Sequence, residues 1–354
     1  MYKILSINPG STSTKIAVYE DDKELFTKSI LHTDEELKGF ERITDQYNFR
    51  KNVIEEFLEE NNFDIHELSA IVGRGGLLPP VKSGAYEVNP LMIEVLKERP
   101  VVEHASNLAA LIAYDMANEL SLKAYIYDAV AVDELEDVAR LTGVSDIKRK
   151  SLFHALNTRA AAYKAATMVE KEIEDTKFVT VHLGGGISVV AHKSGKAIDI
   201  VSDDEGPFSP ERCGRVPVKD VVKLVQSNKY TAKELKKRIR GEAGLKGMLG
   251  TIDAREVESR IAAGDDKAKL VYDTMAYQVS KAIGEMAVAL GGNIDGIILT
   301  GGIAYSKMFT DMVKSRVDFL GKVIVIPGEN EMESLTLGTL RVLKGEEKAK
   351  IFTE

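Results

Sequence analysis

Residues 177–192, KFVTVHLGGGISVVAH, have a twin at 3–18, KILSINPGSTSTKIAV. Each is a run of β-formers, a turn of small residues and a second apolar run, the pattern of strand, turn, strand. Laid together, Asn8 matches His182, Gly10 matches Gly184 and Thr14 matches Ser188. Two further pairs follow in the same order: AIVGRGG (70–76) against GIILTGG (296–302), and, more loosely, YIYD (125–128) against IVIP (324–327). Three matches in one order, nearly half a chain apart, predict a duplicated α/β domain; solenoid units are much shorter. The 354 residues suffice for two domains of ordinary size.

The turns carry the first functional signal. Gly184, Gly185 and Gly186 let a backbone approach a ligand closely and aim amide N–H groups at it, which is one way to hold phosphate. On the triplet alone, a glycine-rich hairpin with no ligand competes evenly. Composition narrows the class. With 44% hydrophobic and 29% charged residues the chain reads as globular, and a net charge of −8 argues against a nucleic-acid binder. The sequence has no apolar run near membrane-spanning length and opens on a strand pattern, so no membrane association and a cytoplasmic location are expected. A lone cysteine, Cys213, fits a reducing compartment and argues against a structural zinc site.

Along the chain, 25–31 and 196–201 each predict a third strand after their hairpins, and 40–62 predicts a helix with an acidic outer face. Arg74 ends the strand at 68–72 between glycines, which leave room around a guanidinium suited to a ligand's carboxylate or phosphate; an Arg paired with an internal acid is the alternative. Asn89 and Pro90 predict a helix start, and a helix follows at 104–120. Asp128 ends the strand at 125–128, where α/β sheets present ligand-binding acids. The polar stretch 142–150 predicts the domain boundary, giving domains at 1–148 and 149–333, with a last helix at 334–343 (Ser334 as its cap) and the remaining tail packing back on the first. An Ala-rich helix is predicted over 153–174, a Gly/Pro/Arg-rich loop over 202–217, helices over 218–229 and 231–240, a glycine-rich turn over 241–250 and an amphipathic helix over 267–290.

At these residues the chain resembles acetate and butyrate kinases, members of the sugar kinase, heat-shock ATPase and actin superfamily. The resemblance runs nearly end to end, through SINPGSTSTK, the glycine-flanked Arg74, VVEHASNLAAL, FHALNTRAA, VHLGGGISV, GPFSPERCGR, GLKGMLGTIDAR, ILTGGIA and PGENEMES. It implies two RNase H-like domains, each a mixed five-stranded sheet with flanking helices, holding ATP in a cleft between them. It implies reversible in-line phosphoryl transfer from ATP to a short carboxylic acid, giving acyl phosphate and ADP, by a homodimer or larger assembly. Such transfer needs alignment and charge neutralisation more than covalent help from the protein.

By the same resemblance, Arg74 and Arg215 clamp the acid and the transferred group, His182 donates to the transition state, and Asp128 and His154 complete the catalytic set. Asn8, Asp128 and Glu331 hold Mg²⁺ directly or through water. Asn8, Ser11, Ser13 and Gly184–Gly186 cradle phosphates; Asp253, Arg255, Gly301, Gly302 and Ile303 bound the nucleoside. Gly75, Gly76, His104, Phe153 and Pro210 line the acid pocket. Three departures from acetate kinases stand out. Gly75-Gly76 replaces two valines and, by volume alone, is expected to enlarge the acid pocket. Ala304-Tyr305-Ser306 replaces Gly-Glu-Asn in the nucleoside loop. The arginine loop is shorter, so Arg212 competes with Arg215, as Glu329 and Glu333 compete with Glu331. These departures resemble the butyrate kinase branch, so an acid of four or five carbons is expected, straight or branched; acetate or propionate is the alternative. A phosphatase of the same superfamily and a nucleotide-switched binding protein are the competing functions.

Overall fold

The computed structural model describes residues 1–202 and 204–353; Asp203, in the predicted 202–217 loop, and Glu354 lie outside the described residues. The chain divides into two compact units, 1–133 with 330–354, and 134–329. The sequence pattern had placed the first boundary at 148/149.

In the first unit β1 (Lys3–Pro9), β2 (Ser13–Glu20) and β3 (Lys23–Leu31) form an antiparallel meander. Next come β4 (Ala70–Arg74), β5 (Ala85–Glu87) and β6 (Ala124–Tyr127). In the second unit β7 (Lys177–Leu183), β8 (Ile187–Lys193) and β9 (Lys196–Val201) repeat the meander, followed by β10 (Gly296–Thr300) and β11 (Val323–Val325). A last strand, β12 (Lys350–Ile351), joins the first sheet. The orders are β12-β5-β6-β4-β1-β2-β3 and β11-β10-β7-β8-β9.

The second sheet has the expected five strands. The first has the same five in the same order, with β5 and β12 added at one edge. The registers coincide as well. Ile4 pairs with Ala70 as Phe178 pairs with Gly296, and Ile71 pairs with Ala124 as Ile297 pairs with Val323. All three sequence matches therefore fall in equivalent places. One detail shifts: Asn8 lies opposite Lys15, whereas His182 lies opposite Ser188, so Ser188 answers to Lys15 rather than Thr14. The cause is a turn one residue longer in the first unit.

Strand alternation sets what each face buries. Val179, Val181 and Leu183 of β7 join the core beneath helix Asp266–Ala289. Phe178 packs on the opposite face with the alanines of helix Ala155–Met168. In the first unit Ser6 of β1 faces helix Glu331–Leu343, its hydroxyl 2.8 Å from that of Thr336. Helix Asn107–Glu119 closes the other face so tightly that a Cβ on Gly73 would stand 2.8 Å from the Ala109 backbone.

The elements depart from expectation where glycines or short helices misled. The Ala-rich helix stops at Met168, and the glycine-rich turn contains helix Gly244–Leu249. Helices Ala254–Ala262 and Lys307–Val317 are additions to the expected elements. The last helix starts at Glu331 behind Asn330, which is left-handed at φ 42°; Ser334 is inside it, donating to the Asn330 carbonyl at 2.8 Å, and is not its cap. Among the described residues no helix is long and apolar enough to cross a membrane.

Candidate active site

Alternation along β1 puts Asn8 on the face of Ser6, at the N-terminus of helix Glu331–Leu343. There the Asn8 amide nitrogen donates to Glu331 Oε2 at 2.6 Å. Arg74, the last residue of β4, pairs through Nη1 with Glu331 Oε1, and Lys15 Nζ lies 3.7 Å from Oε2. Glu331 is thus a nearly buried carboxylate, its side chain 10% exposed, that gathers an amide and two cations. These residues line a cavity of about 240 Å³ with Gly10, Ser13, His104 and Ser106.

His104 is placed to act as a neutral donor. Its Nδ1 accepts the Ser106 N–H at 3.1 Å and lies 2.9 Å from the Ser106 hydroxyl, which assigns the ring proton to Nε2. Burial, then the charges of Arg74 and Arg50, pull its pKa below the ordinary histidine value.

Asp128 is not among the residues lining that cavity. It follows β6 in a left-handed conformation, φ 42°, and its Oδ1 accepts the Gly84 N–H at 2.7 Å. Backbone held in this region by a non-glycine residue is a frequent companion of functional sites. Gly75 and Gly76 overturn the volume argument. A Cβ on Gly75 would stand 2.4 Å from that of Ala129, and one on Gly76 2.5 Å from Asn107 Oδ1. The space released by these glycines is already filled by neighbouring chain, so it does not enlarge the pocket.

The second unit places histidines where the first has Asn8 and Glu331. His182 shares the β7 face that meets helix Ala155–Met168, whose N-cap is His154. The two rings stack at 3.9 Å and 18°. His154 Nδ1 lies 3.0 Å from the Ser188 hydroxyl, and His182 Nε2 lies 3.8 Å from Glu329. Gly184 is required here because a Cβ would approach His182 Nε2 to 2.7 Å. Gly301, at φ 90°, lies against the Leu183 backbone, which a Cβ would meet at 2.5 Å. The first glycine of the TGG motif therefore seats against the end of β7, just ahead of the GGG turn.

A cavity of about 670 Å³ opens beside that turn, large enough for a nucleoside. Gly184, Gly185, Pro210, Asp253, Arg255, Gly302 and Ile303 line it, together with Glu211, Glu258, Tyr305, Ser306, Lys307 and Glu329. Pro210, expected with the acid, belongs to this cavity. Asp253 caps helix Ala254–Ala262 and accepts from Arg255 Nη2 at 2.7 Å; hydrogen bonding to Arg255 holds its carboxyl well below the usual range. Glu258 was not foreseen. It accepts from the Ser306 hydroxyl and from Tyr272 Oη at 2.9 Å, and nothing in a helix rich in Glu and Arg marks it.

The remaining candidates sit apart from both cavities. Arg215 forks onto Glu285 at 2.7 and 2.9 Å, while Arg212 directly follows the cavity residue Glu211. Gly186 ends the turn ahead of β8, and Phe153 is buried beside His154. Ser11 is exposed in the first turn, and Glu333 lies in the first turn of the last helix. Among the described residues no three His, Cys, Asp or Glu side chains converge on a metal-sized site.

Residues 136–339 match the model of the acetokinase family. The chain belongs to that family. It is 51% identical over 353 residues to a probable butyrate kinase of Clostridium botulinum (strain Alaska E43 / Type E3), covering 99% of both chains. It is 49% identical over 352 residues to butyrate kinase 1 of Clostridium acetobutylicum, again covering 99% of each. Among solved structures, Porphyromonas gingivalis acetate kinase superposes with a TM-score of 0.81 at 21% identity, over 97% of this chain and 100% of that one. Entamoeba histolytica acetate kinase superposes at 0.76 and 17% identity, over 95% and 98%. The duplicated mixed-sheet architecture of this acetokinase is thus shared with acetate kinases at low sequence identity.

Proposed function

We propose that this acetokinase transfers the γ-phosphoryl group of ATP reversibly to a short carboxylic acid, with butyrate or a branched acid of four or five carbons preferred. The supporting observation is the Arg74 fork, held by Glu331 beside Asn8, Lys15 and neutral His104 in one small cavity. A carboxylate oxygen attacks the γ-phosphorus; the new bond is C(O)O–P, the bond to the ADP oxygen breaks, and ADP keeps that electron pair. The acid reacts already deprotonated and ADP leaves as an anion, so no proton needs to move. The residues asked for are fixed cations and N–H donors rather than a general base.

Arg74 orients the carboxylate by its two parallel N–H groups. His104 donates from Nε2, and its lowered pKa keeps it a neutral donor at pH 7. His182 donates at the second turn, positioned by His154. The Gly184–Gly186 backbone and the turn carrying Ser11 and Ser13 receive phosphates, and Asp253, Arg255, Gly302 and Ile303 bound the nucleoside. Between the loop arginines, Arg212 is favoured over Arg215, because it directly follows Glu211, which lines the larger cavity. Bound Mg²⁺ supplies charge neutralisation on the phosphates. Of the expected ligands, Asn8 fits best: its amide nitrogen donates to Glu331, which leaves its oxygen for a cation. Glu331 is engaged by Arg74 and Lys15, and Asp128 does not line the cavity.

Trapping acyl phosphate with hydroxylamine across acetate, propionate, butyrate and isobutyrate tests both parts. Hydroxamate with butyrate or isobutyrate giving the highest kcat/KM is expected. Acetate winning removes the chain-length assignment; no hydroxamate from any acid removes the carboxylate kinase assignment.

A further inference from the structure

Arg50 is fully buried in helix Tyr47–Glu60, and the described residues offer it no carboxylate partner. A buried guanidinium is ordinarily ion-paired, because removing the charge from water is costly. Every partner of Arg50 is instead a neutral oxygen. Nε donates to Gln46 Oε1 at 3.0 Å. Nη1 donates to the Ser13 carbonyl at 2.8 Å and to Thr14 Oγ1 at 3.0 Å. Nη2 donates to the Ser11 carbonyl at 3.3 Å. Three of the four contacts fall on one short stretch, residues 11–14, where the turn after β1 runs into β2.

The charge also reaches the cavity that this turn lines. His104 and His32 are both pulled below the ordinary histidine pKa, first by burial and in part by Arg50. His32 closes the same cluster, its Nε2 2.8 Å from Thr14 Oγ1. The turn is therefore a loop whose carbonyls are anchored from behind by a cation that lacks its counter-charge. The anion that supplies this charge belongs on the open side, where Gly10 and Ser13 line the cavity.

We propose that Arg50 is a positioning residue for the phosphoryl group: it fixes the 10–13 turn in its anion-receiving shape and biases that turn electrostatically toward phosphate. This rests on the assignment of the turn to phosphate under the carboxylate kinase reading. Arg50 itself stays behind the turn and touches no substrate.

The test compares wild type, Arg50→Gln and Arg50→Lys by hydroxamate kinetics and by melting with and without Mg·ATP. Arg50→Gln is expected to raise the KM for ATP at least tenfold and lower kcat at least tenfold, with the KM for the acid within about threefold. Its unliganded melting temperature falls by a few degrees, since Gln46, Thr14 and the Ser11 and Ser13 carbonyls lose their donor, while the stabilisation given by Mg·ATP disappears. Arg50→Lys keeps the charge without the fork and should recover part of both losses. A purely structural Arg50 would lower the melting temperature in both variants and leave the ATP KM within threefold of wild type; that result overturns the proposal. If Arg50→Gln does not fold, Arg50→Lys decides alone: an ATP KM within threefold of wild type overturns the proposal, and a rise of fivefold or more supports it. Wild type that forms no hydroxamate yet is stabilised by Mg·ATP, with that stabilisation lost in Arg50→Gln or reduced in Arg50→Lys, sinks the kinase reading and leaves the Arg50 assignment standing.

Discussion

The two β-hairpin turns stand on strands of the same order and register, yet they are built from opposite materials. The first, after β1, is a four-residue Gly-Ser-Thr-Ser turn anchored from behind by the Arg50 guanidinium. The second, after β7, is three glycines seated against a histidine stack. At the strand end Asn8 meets Glu331 in one unit, and His182 meets His154 in the other, each time at the N-terminus of the helix crossing that face. Where Arg74 ends β4, its counterpart by register is Thr300. Under the proposed function, duplication has preserved the positions assigned to the ligand and divided the chemistry between them. At the strand ends, Arg74, Glu331 and Lys15 gather in the first unit, and a histidine stack with close backbone approach stands in the second.

If that division is correct, the largest loss should come from the fixed charge. Arg74→Ala leaves Glu331 paired only with Asn8 and Lys15 and removes the fork for the acid. Loss of a charged donor of this kind costs about 3 kcal/mol of transition-state stabilisation, roughly a hundredfold in kcat/KM. Steady-state kinetics with saturating ATP measures it, and a loss under tenfold would move the acid site elsewhere. Next in size is packing. Gly75→Val drives a side chain into Ala129, with the first new carbon 2.4 Å from its Cβ. Overpacking of this kind costs about 1–3 kcal/mol. The expectation is a melting temperature lower by several degrees, with no gain for acetate over butyrate; a stable variant that switches to acetate would restore the volume argument.

The scaffold was largely legible in the sequence because duplication writes the same hydrophobic period twice. The first strands of the matched hairpins and the pair 70–76 with 296–302 fall in identical register, and the second hairpin strands are offset by one residue. Residue types with a strong local rule were legible too, such as Asn89 as a cap accepting the Met92 N–H at 2.9 Å. What failed depended on neighbours distant in sequence. Gly75 reads as empty space until Ala129, more than fifty residues on, is seen to fill it. Arg50 belongs to a helix read as acidic on its outer face and apolar on its inner one, and no local rule puts a charged residue on the inner face. Glu258 and the short helix Lys307–Val317 escaped for the same reason: their partners, Tyr272 and Phe309's surroundings among them, come from elsewhere in the chain. Ser334 shows the limit of a local rule, since capping chemistry also serves a buried mid-helix serine bonded to its own preceding turn.

The same division predicts unequal responses to acid. His192 in β8 is fully buried, its Nδ1 3.1 Å from Thr180 Oγ1, and burial pulls its pKa to about 3. Its counterpart by register is Tyr19, opposite Ile4, which does not titrate in acid. Below about pH 6.5 the unfolded chain protonates His192 while the folded chain does not. Stability from this group is therefore complete above pH 6.5 and falls by about 1.4 kcal/mol per pH unit down toward pH 3. Melting between pH 7 and 5 should show a shallower decline for His192→Gln than for wild type; equal slopes would mean that His192 protonates in the folded state.

The smallest expected effects test the turns directly, by adding one methyl group to each. At Gly184 the new carbon would stand 2.7 Å from His182 Nε2, in a ring locked by its stack on His154. The ring has to tilt, so Gly184→Ala should lower kcat about tenfold, near 1.4 kcal/mol, with little change in melting temperature. At Gly10 the nearest atom is Ser13 Oγ at 3.2 Å, the free-swinging end of a short side chain, and neither glycine is in the left-handed region. Gly10→Ala should therefore stay within about twofold of wild type. The contrast is informative because equivalent positions in duplicated units receive the same atom. Equal losses would mean that both turns need their glycine for backbone approach to phosphate. A loss at Gly184 alone would mean that the second turn needs it to keep a histidine in place.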